Sequence, residues 1–316
     1  MKYPVKYSKP SYPLSKSPFY RLCSISYLKR ILEVCVWYEE ELLNEIEQFY
    51  SCYDSSGHQK RFPYPIDELY GIHNKIASYL ARMEMPEYIH SSKKGASYLT
   101  NAQVHQGTKE TFKTDIRSFF QSTTKAMVFK FFRKKMLCSR AVSEYLAHLC
   151  TLDNALPLGS QVSMRLAYFA NMDMFEQLFL LAQSHNLRMS VYVDDITFSG
   201  DKIPKGFKGQ VAQIVHRHGH KIKRNKTKCY SQNKKEITGI MIDGETLKLP
   251  DRKLLQIHNE FNKFKALLKT TERDKEKILY KTRYLFGLLN HAAQFDPKYQ
   301  LIRKELKAKI NEKCGL

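Results

Sequence analysis

Residues 189–200 read Met-Ser-Val-Tyr-Val-Asp-Asp-Ile-Thr-Phe-Ser-Gly, and the rest of the chain is best understood outward from Asp194 and Asp195 in their middle. Val191 and Val193 before the acids and Ile196 and Phe198 after them alternate as strand residues with one buried face do. The spacing predicts a short hairpin with both carboxylates at its tip. No basic residue lies within the stretch, so adjacent carboxylates there repel each other and lose hydration, a cost that bound divalent cations offset. Magnesium is the expected ligand. An Asp-Asp turn joining two ordinary strands is the competing reading, since Asp is a common turn residue.

The chain has 316 residues, 43% of them hydrophobic and 12% aromatic, enough for two or three subdomains around a real core. Its formal net charge of +21 points to a polyanionic partner. That charge is uneven: residues 1–200 carry +5 and residues 201–316 carry +16, so the C-terminal third is the expected phosphate-binding part. The sequence shows no long apolar run, signal peptide or lipidation motif, which argues against a membrane and for a cytoplasmic protein. Seven scattered cysteines, never paired as Cys-x-x-Cys, read as reduced thiols. His216, His218 and His220 alternate, but Arg217 and Lys221 among them favour a basic surface over a metal site.

Residues 1–24 are rich in Pro, Tyr, Ser and Lys and read as an extended arm rather than a packed element. Helical periodicity follows over 26–50, then a loop at Asp54-Ser55-Ser56-Gly57, an extended segment at 60–65 and a helix over 66–83. Residues 111–120 read as a strand that delivers Asp115 and then Phe119 and Phe120. Helices are expected over 125–132 and 139–152, and one long apolar helix over 161–184. Two short strands, 236–242 and 245–249, are predicted to join at Asp243-Gly244. Residues 250–316 read as all helical, with Leu254, Ile257, Phe261, Phe264 and Leu267 on one face.

If the Asp115 strand lies beside the hairpin, three carboxylates meet at one sheet edge. So placed, they can hold two magnesium ions, one activating an attacking hydroxyl and the other binding a triphosphate and its leaving group. That chemistry is nucleotidyl transfer.

With these residues in view, the chain resembles a reverse transcriptase, and within that class the retron reverse transcriptases of bacteria. Tyr192-Val193-Asp194-Asp195 is similar to the Tyr-x-Asp-Asp box, and Asp115-Ile116-x-x-Phe119-Phe120 to the first palm motif. Leu156-Pro157-x-Gly159-Ser160 resembles the motif that supports template and incoming nucleotide, and Asn225-Lys226-Thr227 part of the next palm motif. Ile237-Thr238-Gly239 resembles the primer grip, and Asn101-Ala102-x-x-His105 the Asn-Ala-x-x-His signature of retron enzymes. The similarity runs in order from about residue 17 to the C-terminus. Leu158 replaces the usual Gln, so contacts made by that side chain do not carry over.

The resemblance implies an α+β right-hand polymerase fold: an arm (1–24), fingers with N-terminal helices (25–110), a palm of mixed or antiparallel sheet (111–249) and a helical RNA-binding thumb (250–316). It implies that Asp115, Asp194 and Asp195 carry two Mg2+ ions, with the Ile116 carbonyl as a further ligand. Phe120 would exclude a 2′-hydroxyl, Lys226 would lie near the triphosphate with Gly159, and Lys94 is a further phosphate candidate. Tyr192, Thr238 and Gly239 would support the primer end, while Asn101 and His105 would brace either the RNA or the fold. Lys263, Lys265, Lys269, Lys304, Lys307 and Lys309 would hold an RNA stem or hybrid duplex. The implied activity is copying of a structured non-coding RNA from an internal 2′-hydroxyl, giving RNA-linked single-stranded DNA from dNTPs, often in anti-phage defence beside an effector protein. Another bacterial reverse transcriptase, of intron or diversity-generating type, and a non-catalytic RNA-binding protein are the alternatives.

Overall fold

The computed structural model describes residues 10–34, 39–53, 59–269 and 275–314. In chain order the helices and strands are α1 (Ile25–Leu32), α2 (Glu39–Asn44), β1 (Tyr50–Tyr53), β2 (Gln59–Pro65), α3 (Asp67–Leu80), α4 (Tyr98–Gln103), β3 (Glu110–Asp115), α5 (Phe119–Ser122), α6 (Lys125–Lys130) and α7 (Arg140–Leu149). They continue as α8 (Ser163–Ala170), α9 (Met172–Ser184), β4 (Arg188–Tyr192), β5 (Asp195–Gly200), α10 (Phe207–Arg217), β6 (Lys228–Tyr230), β7 (Lys234–Ile237), β8 (Ile240–Asp243) and β9 (Thr246–Lys248). Three helices close the chain: α11 (Asp251–Lys269), α12 (Lys275–Ala292) and α13 (Lys298–Cys314). Several starts follow from side-chain caps legible in the sequence. Ser24, Thr124 and Ser139 each accept a backbone N–H of the following turn, and Ser97 and Thr100 form a reciprocal capping box on α4.

An antiparallel sheet of order β4-β5-β3-β6 organises the fold. One face is apolar: Phe112 and Phe198 stack at 5.9 Å and meet the edge of Phe207 of α10. The other face is buried too, but polar, with Thr111, Ser190, Thr197 and Ser199 all inaccessible. The hairpin therefore has two covered faces, where its alternation suggested one. His105 makes the polar layer possible by hydrogen-bonding Ser199 Oγ at 2.6 Å and Ser190 Oγ at 2.7 Å, so these hydroxyls do not go unsatisfied. A second sheet, β7-β8-β9, packs with α4 against that layer, and Lys235, almost wholly buried, donates to Thr108 Oγ1 at 2.6 Å.

The structure corrects five expectations. The strand read over 111–120 stops at Asp115, and Phe119 and Phe120 lie on α5 after Ser118, which takes φ 49°. The helix over 161–184 is two helices, because buried Asn171 leaves helical geometry; its Nδ2 donates to Thr123 Oγ1 (3.0 Å) and its Oδ1 pairs with His220 Nε2 (2.7 Å). His220 is thus an interior residue, not part of a basic surface, although His216 remains exposed. Residues 236–242 are not one strand: Thr238 and Gly239 take positive φ of 46° and 80° and turn β7 back along β8. The N-terminal segment is extended over 10–13, yet it belongs to the core, since Phe19 is fully buried against Tyr79 and Phe132. Residues 1–9 of that arm and the loop at 54–57 lie outside the described residues, as do the Lys269 and Lys309 side chains. On α11, Ile257 and Phe264 are buried as the periodicity implies, while Leu254 lies 36% exposed.

Two wholly buried histidines give an acid-stability prediction. Burial drives His73 down to about 4 and His105 to about 3, against the backbone hydrogen bond that supports His73. A lowered histidine contributes stability above its unfolded value of about 6.5, and that contribution is lost as pH falls towards the folded value. At pH 5 the loss is roughly 2 kcal/mol for each residue. Chemical denaturation from pH 7 to pH 5 should show this decline, and His105→Gln should flatten it; a slope unchanged in that variant would refute the assignment.

Candidate active site

β3 and β5 pair so that Asp115 faces Asp195 directly, and β4 and β5 pair so that Tyr192 faces Asp195. Opposed residues of an antiparallel pair share one face with their Cα atoms about 4.5–5.5 Å apart. Two carboxyls distant in sequence are therefore neighbours. Asp194 sits beside them in the two-residue turn Val193-Asp194. Such a turn usually places glycine where φ is positive, yet Val193 stands there at φ 60°. The surroundings hold it: Val193 N donates to Ser91 Oγ at 3.0 Å, and Ile116 N donates to the Asp194 carbonyl at 3.0 Å. A β-branched residue kept in that region is a strained feature of the kind found at functional sites.

The carboxyls repel one another. Burial first, then the charge of Asp115, pushes Asp194 up to about 6, partly opposed by a backbone hydrogen bond and by Lys226. Asp195 is raised by burial and by Asp115, with Lys113 and Lys226 acting against the shift. Lys226 Nζ lies 3.1 Å from Asp115 Oδ2, and this contact holds the lysine above its ordinary value. Asp115 itself is nearly inaccessible, whereas the Lys226 side chain is 56% exposed and free to turn elsewhere. Lys113 is half-buried, lowered by desolvation, and donates to the Glu236 carbonyl at 3.1 Å.

Among the described residues, no group of three or more His, Cys, Asp or Glu side chains is placed to hold a metal ion. The donor set nevertheless suits hard divalent cations: clustered carboxylate oxygens whose mutual repulsion leaves Asp194 short of positive charge.

The other sequence candidates fall in several places. Phe119 fills the core against Phe175 and His220, which leaves Phe120 half-buried at the start of α5, five residues beyond Asp115. Gly159 is exposed and tight against β2; its N–H donates to the Pro63 carbonyl at 3.2 Å, and a Cβ would stand 2.4 Å from that oxygen. Lys94 is exposed before Gly95, which has φ 79°. Thr238 Oγ1 donates to the Tyr98 carbonyl at 2.8 Å, and Asn101 Nδ2 reaches Thr238 Oγ1 at 3.4 Å. Asn101 and His105 are both fully buried, so they present no atom to a nucleic acid and brace the interior. On the C-terminal helices Lys263 pairs with Glu260, Lys265 lies over the Phe261 ring, and Lys304 and Lys307 are exposed. Among the described residues, no hydrogen bond or ion pair links Lys94, Thr238 or these helix lysines to the three carboxyls.

Sequence reading missed Lys113, Lys223 and Ser91. Lys113 was recoverable, because two residues before Asp115 on a strand means the same face. Lys223, whose N–H donates to the Asp115 carbonyl at 2.8 Å, and Ser91 are brought in only by tertiary contacts.

The site thus lies at one end of the two central strands of an antiparallel sheet, with helices on its apolar face and a helical C-terminal unit beyond. In sequence, the chain is similar to the retron reverse transcriptases. It is 34% identical over 157 residues to the Retron Se72 reverse transcriptase of Salmonella heidelberg, covering 48% of this chain and 41% of that protein. It is 25% identical over 219 residues to the Retron Ec48 reverse transcriptase of Escherichia coli, covering 67% and 53%. The chain spans about half the length of the curated relatives it matches. No protein-family model matches it. A foamy viral protease-reverse transcriptase in complex with double-stranded DNA superposes with a TM-score of 0.46 at 15% identity, over 95% of this chain and 47% of that one. A likeness of that size adds nothing to the argument. Among the described residues, no helix is long and apolar enough to cross a membrane.

Proposed function

We infer that the protein is an RNA-directed DNA polymerase of the retron kind, copying a structured RNA into DNA. The observation that carries this reading is the register of β3 on β5, which puts Asp115 opposite Asp195 with the strained Asp194 turn beside them. Asp115, Asp194 and Asp195, with the Ile116 carbonyl, would hold two Mg2+ ions; when bound, these activate the attacking hydroxyl and neutralise the leaving pyrophosphate.

The chain's own residues do the rest. Lys226, mostly exposed and paired with Asp115 at its tip, would turn to the triphosphate and there stabilise developing charge or donate a proton. Phe120 lies under the sugar, Gly159 lets the backbone approach the nucleotide, and Lys94 offers a further phosphate contact. Tyr192 and the Thr238-Gly239 turn support the primer end, with Asn101 Nδ2 reaching Thr238 Oγ1 and His105 bracing Ser190 and Ser199 of the sheet. Residues 25–110 act as fingers, 111–249 as palm and 250–316 as thumb, where Lys263, Lys265 and Lys307 meet duplex phosphates. Priming from an internal 2′-hydroxyl, a cognate msr-msd type RNA, an effector partner and a role in anti-phage defence follow from the similarity to retron enzymes.

The test is direct. Purified protein given copurifying RNA, dNTPs and Mg2+ should yield DNA joined to RNA, with the junction resistant to treatments that leave only 2′,5′-linked branches intact. Linear primer extension without a branch would point to another class of reverse transcriptase. No incorporation on any RNA template would leave only a non-catalytic RNA-binding reading.

A further inference from the structure

A basic trough lies on the outer side of the sheet, between α10 and residues 221–229. Its lining includes Arg117, Lys208, His216, Lys221, Lys223 and Arg224, with no carboxylate among the lining residues. Among the described residues, Arg117, Lys208, Lys221, Lys223 and Arg224 have no ion-pair partner. Surface lysines commonly face acids, so a run of unneutralised cations calls for an anion.

Extent decides what kind of anion. The hollow measures about 1230 Å³, above the roughly 300–1,000 Å³ of small-molecule sites. It also runs on into a second hollow through the shared residues Phe112, Lys208 and Cys229, which adds Lys205. The one acid lining that extension is Glu110, whose carboxylate accepts the Ile203 N–H at 2.7 Å and keeps its charge, so the excess of cations there is smaller than in the main hollow. Among its lining residues the larger hollow shows no exposed Phe, Tyr or Trp ring, since Phe112 is buried, and the imidazole of His216 is the exposed ring there. The features therefore fit a row of phosphates better than splayed bases.

We propose that this trough binds the phosphodiester backbone of an RNA segment outside the catalytic cleft, so that the protein holds its RNA at a second place on the palm. The proposal rests on the polymerase reading above for the identity of the polyanion. It borders the acids through Lys223, whose N–H donates to the Asp115 carbonyl, but it opens between α10 and the β6 edge, and Asp115, Asp194 and Asp195 do not line it. Phosphate contacts of this kind position a nucleic acid without reading its sequence.

The full chain carrying Lys205→Gln, Lys208→Gln and Lys221→Gln together tests this, with a labelled RNA stem-loop bearing a single-stranded tail as the binding probe. Binding should weaken about 10- to 100-fold near 0.1 M salt, and the slope of log affinity against log salt should fall by about 2 to 3. Incorporation of dTTP on poly(rA)·oligo(dT) should persist at the parental rate. Unchanged affinity and slope in a variant that polymerises normally would overturn the trough while leaving the polymerase reading intact. Polymerase activity absent from the parent chain as well would instead strike at that reading. Equal weakening for free dNTP and for RNA would show a nucleotide site and likewise overturn the proposal.

Discussion

Asp194→Asn and Asp195→Asn should each lower Mg2+-dependent dNTP incorporation by about a thousandfold or more, the scale on which removal of a charge-stabilising group acts at such sites. Asparagine keeps the size and hydrogen-bonding shape of the side chain but removes the charge that cations require. The change should not unfold the protein. Asp194 has a folded-state value of about 6, above its unfolded value. A raised carboxyl stabilises the fold below the unfolded value, and that contribution is lost as pH rises through the folded one. At neutral pH the charged side chain is therefore a liability. Two units would correspond to about 3 kcal/mol, and solvent screening of this partly exposed group brings the figure nearer 1 kcal/mol. Thermal melts in metal-free buffer at pH 7 should show Asp194→Asn at least as stable as the parent. Incorporation surviving in both variants would refute the triad; inactivity with a collapsed melting temperature would show a structural role instead.

Phe120→Ala should relax sugar discrimination by about 10- to 100-fold, measured as the ratio of kcat/KM for dNTP and rNTP, because a steric gate works by differential fit of one hydroxyl. The geometry separates this residue from its neighbour. Phe119 is buried against Phe175 and His220, whereas Phe120 is half-buried at the edge of the core. Phe119→Ala should cost about 3–5 kcal/mol of stability, visible as a lowered denaturation midpoint, with sugar preference unchanged in whatever remains folded. An unaltered dNTP to rNTP ratio in Phe120→Ala would remove it from the gate.

The site's chemistry was legible wherever it depended on local pattern. The hairpin around Asp194-Asp195 declared itself by alternating residues flanking two acids, and a strand carrying Asp115 was legible although its end at Asp115 was not. The starts read for α1, α6 and α7 fall within a residue of where those helices begin. Apart from the local Thr238-Gly239 turn, the main misreadings arise where a side chain finds its partner far away in sequence. Asn171 reads as an unremarkable member of an apolar helical run, and the break it makes depends on Thr123 and His220, 48 and 49 residues distant. His220 reads as surface because its neighbours are basic, and it is interior because Asn171 and Ser122 satisfy both ring nitrogens. His105 carries no local sign that Ser190 and Ser199 will meet it across the sheet.

The amino-acid order alone thus determined that acids cap a hairpin, that a third acid lies on a strand, and that the positive charge is concentrated in the last third. Only the tertiary structure decided that Asp115 meets Asp195 in register, that Val193 is held at positive φ beside them, and that cations from α10 and residues 221–229 line a trough that the three acids do not line. Periodicity and capping are written over a few adjacent residues, whereas strand register and the pairing of buried polar groups are settled by which distant segments exclude water from one another.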